Sequence, residues 1–276
     1  MKLRNLICRI LACTSIMIWH GIAISQENGA DPIIKTAEIY SVDEGKETLD
    51  GRKVFNEKGN LIEEVKYKWD GSISVQTINE YDGDRLIIET HHRTDYKGNP
   101  QIDSYEHESN AQGLTLAKRH TRNGELKGVS DSYTYTTDGL IRYWSRYKSD
   151  GNEYQKFIFH YDELGQKVKK EVYYGTELFS WTTYKYDALG RIIIETKYDP
   201  EDGKRWVLEN KYDEHGSCIE IQSYEGEEEK PAGGTKLSYR YDDAGNWVYE
   251  ESRSVQEAFG RTAVTVKESK RKITYW

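Results

Sequence analysis

The sequence predicts an all-β fold, a repeat array of about eight antiparallel β-hairpins forming one long, twisted and curved sheet. Three observations predict it. A Tyr-Asp-x-x-Gly unit recurs about every 26 residues, with its glycine at Gly139 (in a Thr-Asp-Gly variant), Gly165, Gly190, Gly216 and Gly245. The residues before each turn alternate aromatic and polar, the period of a half-buried strand. No segment beyond the N-terminus sustains a helical period. Repetition at this spacing marks an array whose units bury their apolar faces only against neighbours.

The turn comes first. Asx at its first position and Gly at its fourth suit a type I turn followed by a left-handed residue, a three-residue hairpin loop ending in a bulge. The Asx side chain can hydrogen-bond its own turn backbone. Upstream the unit decays but persists: Phe55-Asn56-Glu57-Lys58-Gly59, Tyr81-Asp82-Gly83-Asp84 with one residue deleted, and Ser109-Asn110-Ala111-Gln112-Gly113 without its aromatic. Eight units fall within residues 47–253, with Thr136 the one departure from Asx.

The flanking strands follow. Tyr184-Lys185-Tyr186 and Tyr239-Arg240-Tyr241 precede their turns. The third residue after the glycine is aliphatic in Ile62, Ile87, Leu116, Val168, Ile193, Ile219 and Val248, and Arg142 breaks this column. Eight residues after the glycine stands a second aromatic column: Tyr67, Tyr147, Tyr173, Tyr198 and Tyr224. Asp70-Gly71, Asn123-Gly124, Asp150-Gly151 and Asp202-Gly203 then return the chain. Hairpin pairing places the tyrosines before each turn on the face of Leu61, Leu86, Ile141, Ile192, Cys218 and Trp247, expected to be the concave or buried side. The opposite face is expected to carry the charges at the fifth position after the turn, as in Glu64, Glu89, Lys118, Lys170, Glu195 and Glu250. At 36% hydrophobic and 31% charged, the chain is polar for a two-layer core. A strongly curved single sheet with one face largely wet fits better.

The ends divide the chain further. Residues 1–25 read as a secretory signal: Lys2, Arg4 and Arg9, a short apolar core from Ile10 to Trp19, and Ala23-Ile24-Ser25 before Gln26. The alternatives are an uncleaved anchor and a lipidated Cys13; the core between Arg9 and His20 is short for a membrane span. Residues 26–46 read as a linker or first edge strand, and 254–276 as capping strands. The protein is therefore expected to be exported to the periplasm, outer surface or exterior, without membrane insertion after cleavage. A net charge of −8, more negative once the signal is removed, argues against nucleic acid as a partner. Two of the three cysteines fall in the signal, so Cys218 has no intrachain disulfide partner.

The unit Tyr184-Lys185-Tyr186-Asp187-Ala188-Leu189-Gly190-Arg191-Ile192 resembles the YD repeat of the Rhs family, well over about residues 130–253 and in degraded form over 47–129. The resemblance implies a hairpin array; in large members such hairpins spiral into a hollow shell around a C-terminal toxin. Eight units are too few to enclose a cargo, and Asp199-Pro200 is followed by Glu201-Asp202 rather than the Gly-Leu of the self-cleaving boundary. What the resemblance carries over is the hairpin fold.

Candidate sites follow from the columns. Tyr147, Tyr173, Tyr198 and Tyr224 could stack on sugar rings or hold an extended peptide, and otherwise pack on one another as sheet core. Local departures from the repeat mark Arg142 with Trp144, and the loop from Glu225 to Gly234. Glu64 and Glu89 could meet the wider carboxylate separation of an inverting glycosidase, but no flanking motif selects them, and a solvated polar face accounts for them. His91 and His92 are adjacent on a strand and point to opposite faces, and no metal-ligand spacing accompanies them. No catalytic, cofactor or metal residue is expected. The expected function is a non-enzymatic, exported binding or scaffold protein whose partner is a surface glycan or protein, with pairing at exposed edge strands a further expectation. The alternatives are an accessory, immunity or remnant shell component of a polymorphic-toxin system, and an envelope polysaccharide hydrolase.

Overall fold

The computed structural model describes residues 32–226, 231–258 and 261–276. The signal segment 1–25 lies outside them. Eighteen strands run in chain order: β1 (Ile34–Asp43), β2 (Lys46–Phe55), β3 (Leu61–Tyr67), β4 (Ile73–Asp82), β5 (Arg85–Thr94), β6 (Pro100–Ser109), β7 (Thr115–Arg122), β8 (Glu125–Tyr135) and β9 (Ile141–Tyr147). Then come β10 (Glu153–Tyr161), β11 (Lys167–Tyr174), β12 (Glu177–Tyr186), β13 (Ile192–Tyr198), β14 (Arg205–Tyr212), β15 (Cys218–Glu225), β16 (Gly233–Tyr241), β17 (Trp247–Ala258) and β18 (Arg261–Tyr275).

Each strand pairs antiparallel with its sequence neighbours, and β18 pairs with β1 from Ile34–Tyr275 to Val42–Glu268. The sheet is therefore a closed eighteen-stranded up-and-down barrel. This corrects the open, twisted sheet of about eight hairpins expected from the repeat. The repeat accounts for β2 to β17. Residues 34–43 and 261–275 supply two strands outside it, and these pair with each other. An open sheet leaves unpaired N–H and C=O groups along both edges, and closure satisfies them. The edge strands expected to recruit another chain are thus paired within this one.

The YD-type turns all lie at one end of the barrel, where the chain also enters and leaves; Trp276 N–H donates to Ile33 O at 3.0 Å. Their chemistry is as the sequence indicates. Gly190 N–H donates to Asp187 O at 3.1 Å, Asp187 N–H to Arg191 O at 3.0 Å, and Gly190 sits at φ 76°. Asp187 Oδ1 accepts from Leu189 N–H and Arg191 N–H, both at 2.9 Å.

A bulge follows each of these turns. Tyr186 pairs with Ile192 but Lys185 with Ile194, so Ile193 is the extra residue. The same shift recurs beside Phe55, Tyr81, Ser109, Tyr135, Tyr161, Tyr212 and Tyr241. The aliphatic column of the sequence, with Arg142 in it, is therefore the column of bulge residues. Each bulge inverts the alternation that follows it. Tyr184 consequently pairs with Glu195, and Tyr239 with Glu250. The expectation that the fifth-position charges lie opposite the tyrosines is overturned, because a straight alternation was counted through the bulge.

The YD tyrosine has a second role. Between hairpins the ladder of β9 and β10 ends at Tyr143–Ile158, and beyond it Tyr161 Oη donates to Ile141 O at 2.8 Å. Tyr186 reaches Lys167 O, Tyr212 reaches Ile192 O and Tyr81 reaches Leu61 O in the same way. The hydroxyl satisfies a carbonyl that the splayed strand end leaves without a ladder partner.

The two faces differ in burial. Among the described residues, Ala37, Phe55, Asp103, Gln155, Val172, Ser180, Thr182, Tyr184, Trp247, Glu250 and Arg271 are buried on the face of the YD tyrosines, and Val65, Ser145, Thr196 and Val207 on the other. The tyrosine face is the inner one, where curvature crowds side chains together. The outer wall carries charged and polar ladders, among them Arg52–Glu63–Gln76 and Lys211–Glu220–Gln222. Among the described residues, backbones of different strands approach within 8 Å only between ladder neighbours. Barrels of this strand number enclose a water-filled lumen.

Gly190→Val is expected to destabilise the fold by about 1–3 kcal/mol, because a branched side chain is strained at positive φ, whereas Gly190→Asn should lose far less. Denaturant titration of both checks this, and equal midpoints for Val and parent would refute the turn assignment. Tyr161→Phe removes only the bond to Ile141 O and is expected to cost about 0.5–1.5 kcal/mol, read in the same titration.

Candidate functional site on the lumen wall

Strands β5 to β9 bring an unusual density of ionisable side chains to the inner face. The centre is Asp103 on β6, 1% exposed. Its carboxylate accepts from Arg93 Nη2 at 2.7 Å, Arg122 Nε at 2.8 Å and Gln101 Nε2 at 2.5 Å, and His120 Nε2 lies 2.7 Å away. Period-2 alternation on β5, β6 and β7 places these partners on one face, and the ladder sets Asp103 opposite His91 and Arg122. Burial disfavours the charge, but hydrogen bonds from Arg122, His120, Gln101 and Arg93 outweigh it and hold Asp103 well below the usual carboxylate range.

The cluster extends along the wall. Tyr105 stacks on His120 with ring centroids 4.8 Å apart and meets His91 edge-on at 5.5 Å. Glu89 is hydrogen-bonded to His91, and that bond lowers its pKa against the cost of burial. Burial, then Lys118, pushes His107 down. On β8 and β9, Trp144 Nε1 donates to Asp131 at 2.7 Å, and Trp144 stacks on Phe157 at 4.4 Å. Arg146 lies beside it, 3.2 Å from Gln155 Oε1 and 3.9 Å from Asp131. Arg93, Arg122 and Arg146 each keep about two-fifths of their side-chain surface open, 43%, 43% and 44%. Trp144 is stacked between Tyr133, 6.1 Å away, and Phe157, so the arrangement can offer guanidinium N–H groups and aromatic edges to something inside the lumen.

The residues singled out in the sequence do not converge. Tyr147, Tyr173, Tyr198 and Tyr224 stand on the outer wall, each engaged with neighbours. Tyr147 Oη lies 3.0 Å from Ser132 Oγ, Tyr173 donates to Glu171 at 3.3 Å, Tyr198 stacks on Trp181 at 5.0 Å, and Tyr224 donates to Gln222 at 2.7 Å. Arg142 is an exposed bulge residue with its guanidinium 5.2 Å from the Tyr143 ring. Only Trp144 faces the lumen. Glu64 lies there too, 3.6 Å from Lys53, and His91 and His92 point to opposite sides of the wall. Among the described residues, no group of three or more His, Cys, Asp or Glu is placed to hold a metal ion. Cys218 is half-buried on the inner face, where burial raises its thiol pKa. Sequence reasoning missed the Asp103 cluster. Its signal was the alternation of polar residues in His91-His92-Arg93, Asp103-Ser104-Tyr105 and His120-Thr121-Arg122, within the units where the repeat is most degraded.

Among solved structures, the chain is similar to a porin-like protein from Bacteroides uniformis ATCC 8492, at 11% identity over 87% of this chain and 98% of that one, with a TM-score of 0.47. It is also similar to a porin-like protein from Bacteroides vulgatus ATCC 8482, at 11% identity over 89% and 99%, with a TM-score of 0.33. No family model and no curated protein matches the sequence. The barrel assignment rests on this chain's own strand pairings.

Asp103→Asn leaves two arginines without their shared carboxylate and is expected to cost about 1–3 kcal/mol at pH 7. The folded-state pKa of Asp103 lies below its unfolded value near 3.9. Its stabilisation is therefore present above about pH 4 and lost as pH falls below that value. The gap between the denaturant midpoints of parent and variant should narrow steadily as pH falls below about 4; a constant gap would show that the carboxylate charge is not what stabilises this cluster.

Proposed function

We propose that the protein is an exported, non-enzymatic binding protein that takes a cell-envelope glycan into the lumen of its barrel. The observation that carries this reading is the inner wall of the closed barrel, where Trp144, Phe157 and three partly open arginines stand together. Among the described residues, side-chain hydrogen bonds on this wall run between neighbouring strands. Aromatic edges offer apolar surface to sugar rings, and guanidinium groups offer donors to their oxygens. The secretory character of residues 1–25 supports export. The outer wall supports an aqueous setting: a lipid-facing barrel needs an apolar band about 25 Å tall, and this wall carries Arg52, Glu63, Glu171, Lys211 and Glu220 in the half nearer the YD turns. Of the two carboxylates singled out in the sequence, Glu89 is held low by His91, whereas a glycosidase general acid needs a raised pKa.

Binding of residues 26–276 to a panel of neutral and acidic envelope polysaccharides tests the reading. Retention on at least one is expected, with affinity falling about tenfold or more in Trp144→Ala, the scale of a lost aromatic platform. The outer-wall pair Tyr198→Ala with Tyr224→Ala should bind as the parent does. A folded protein, checked by circular dichroism, that binds none of the panel would sink the proposal. Loss of binding on the outer-wall substitutions alone would move the site out of the lumen.

A further inference from the structure

The chain carries a net charge of −8, yet six successive odd-numbered strands each present a cation to the lumen. They are Lys66 on β3, Arg93 on β5, Arg122 on β7, Arg146 on β9, Lys170 on β11 and Lys197 on β13. Ladder register fixes their side of the wall: Lys66 pairs with Gly51, Arg122 with Asp103, Arg146 with Asp131, Lys170 with Phe159, and Lys197 with Thr182. Alternate strands lie roughly 10 Å apart, so the cations form an arc. All but Lys170 stand in the last two residues of their strands, at the mouth away from the YD turns.

Much of the negative charge beside this arc is already engaged. Asp103 is shared among Arg93, Arg122 and His120, Glu89 by His91, and Asp131 by Trp144. Lys66 lies 3.9 Å from Glu64. Among the described residues no carboxylate comes within salt-bridge distance of Lys170 or Lys197. Of the turn carboxylates beyond the mouth, Asp70, Asp95 and Asp150 accept N–H groups of their own turns. Arg93 and Arg122 each commit one nitrogen to Asp103, and a guanidinium has five N–H donors in all. Planar forks of this kind match carboxylates bidentately. The rings of Trp144 and Phe157 adjoin the middle of the arc.

We propose that the lumen selects an acidic polysaccharide whose sugar carboxylates engage this cationic arc while its rings pack against the edges of the aromatic wall. The proposal rests on the glycan-binding reading above and adds the chemical class of the glycan. An arc of fixed cations along a low-dielectric wall concentrates anions beside it. The aromatic wall favours a carboxylated sugar chain over a ligand carrying charge alone.

The test is isothermal titration of residues 26–276 with polygalacturonate, with its fully methyl-esterified form, and with inorganic polyphosphate. Polygalacturonate should bind at least about tenfold more tightly than the ester, the scale of one lost charge-assisted hydrogen bond, and its affinity should fall as salt is raised. The double variant Arg146→Gln with Lys197→Gln should weaken polygalacturonate binding by about tenfold or more and leave binding of the ester unchanged. Lys185→Gln, on the outer wall, should match the parent. Equal binding of acid and ester would overturn the arc as a selector while leaving glycan binding standing. Unchanged polygalacturonate binding by the folded double variant would overturn it as well, and tighter binding of polyphosphate than of polygalacturonate would overturn the assignment to a sugar chain.

Discussion

The hydrogen-bonded seam between β1 and β18 is the constraint on which the rest of the structure depends. Without it the repeat would be an open sheet with two exposed edges and no inside. With it, every strand has two partners, and one face becomes the wall of a lumen. The seam also tolerates buried charge. Glu250 and Arg271 are 5% and 8% exposed, and the Arg271 guanidinium lies 3.7 Å from the Trp247 ring. Burial lowers the Arg271 pKa to about 10 and raises that of Glu250, each against the attraction of the other. Such charges are costly to bury singly and tolerable as neighbours, which ties the inner chemistry of β17 and β18 to correct closure.

Within the wall, the bulge after each YD turn decides what faces inwards. A strand with simple alternation would send Glu195 and Glu250 outwards. The extra residue sends them inwards beside Tyr184 and Tyr239. The tyrosine hydroxyl then caps a carbonyl at the end of the preceding hairpin, so the turn, the bulge and the tyrosine act as one device. It repeats around the barrel with Asp or Asn in the turn and Tyr in the strand. The tyrosine is replaced at Phe55 and lost at Ser109, and toward the other end of β6 the inner wall is organised by Asp103 and its donors.

Under the proposed reading, the polar lumen is the working surface and the outer wall is its solvated back. The aromatic residues fall on both sides. Outer tyrosines pair with local side chains and stiffen the ladders, whereas Trp144 and Phe157 meet the arginines inside. The same residue types serve two purposes because the wall is one sheet thick and both faces need covering.

The sequence by itself determined the local units: the hairpins, the Asx-Gly turns, the aromatic-polar strands and the shared face of Tyr186 and Ile192. These depend on contacts within about 30 residues, which a repeat displays directly. Tertiary structure decided the rest. Pairing of Ala37 with Ile273 joins residues more than two hundred positions apart, and nothing in either segment announces its partner. The column Ile62, Ile87, Ile193 was legible, but its meaning as a bulge, and so the inward turn of the charges, required the register. Asp103, Arg122 and His120 come from different strands of degraded units, where the repeat no longer guides the eye. They meet because antiparallel pairing superposes positions that the sequence keeps apart, and only closure makes their common face an interior.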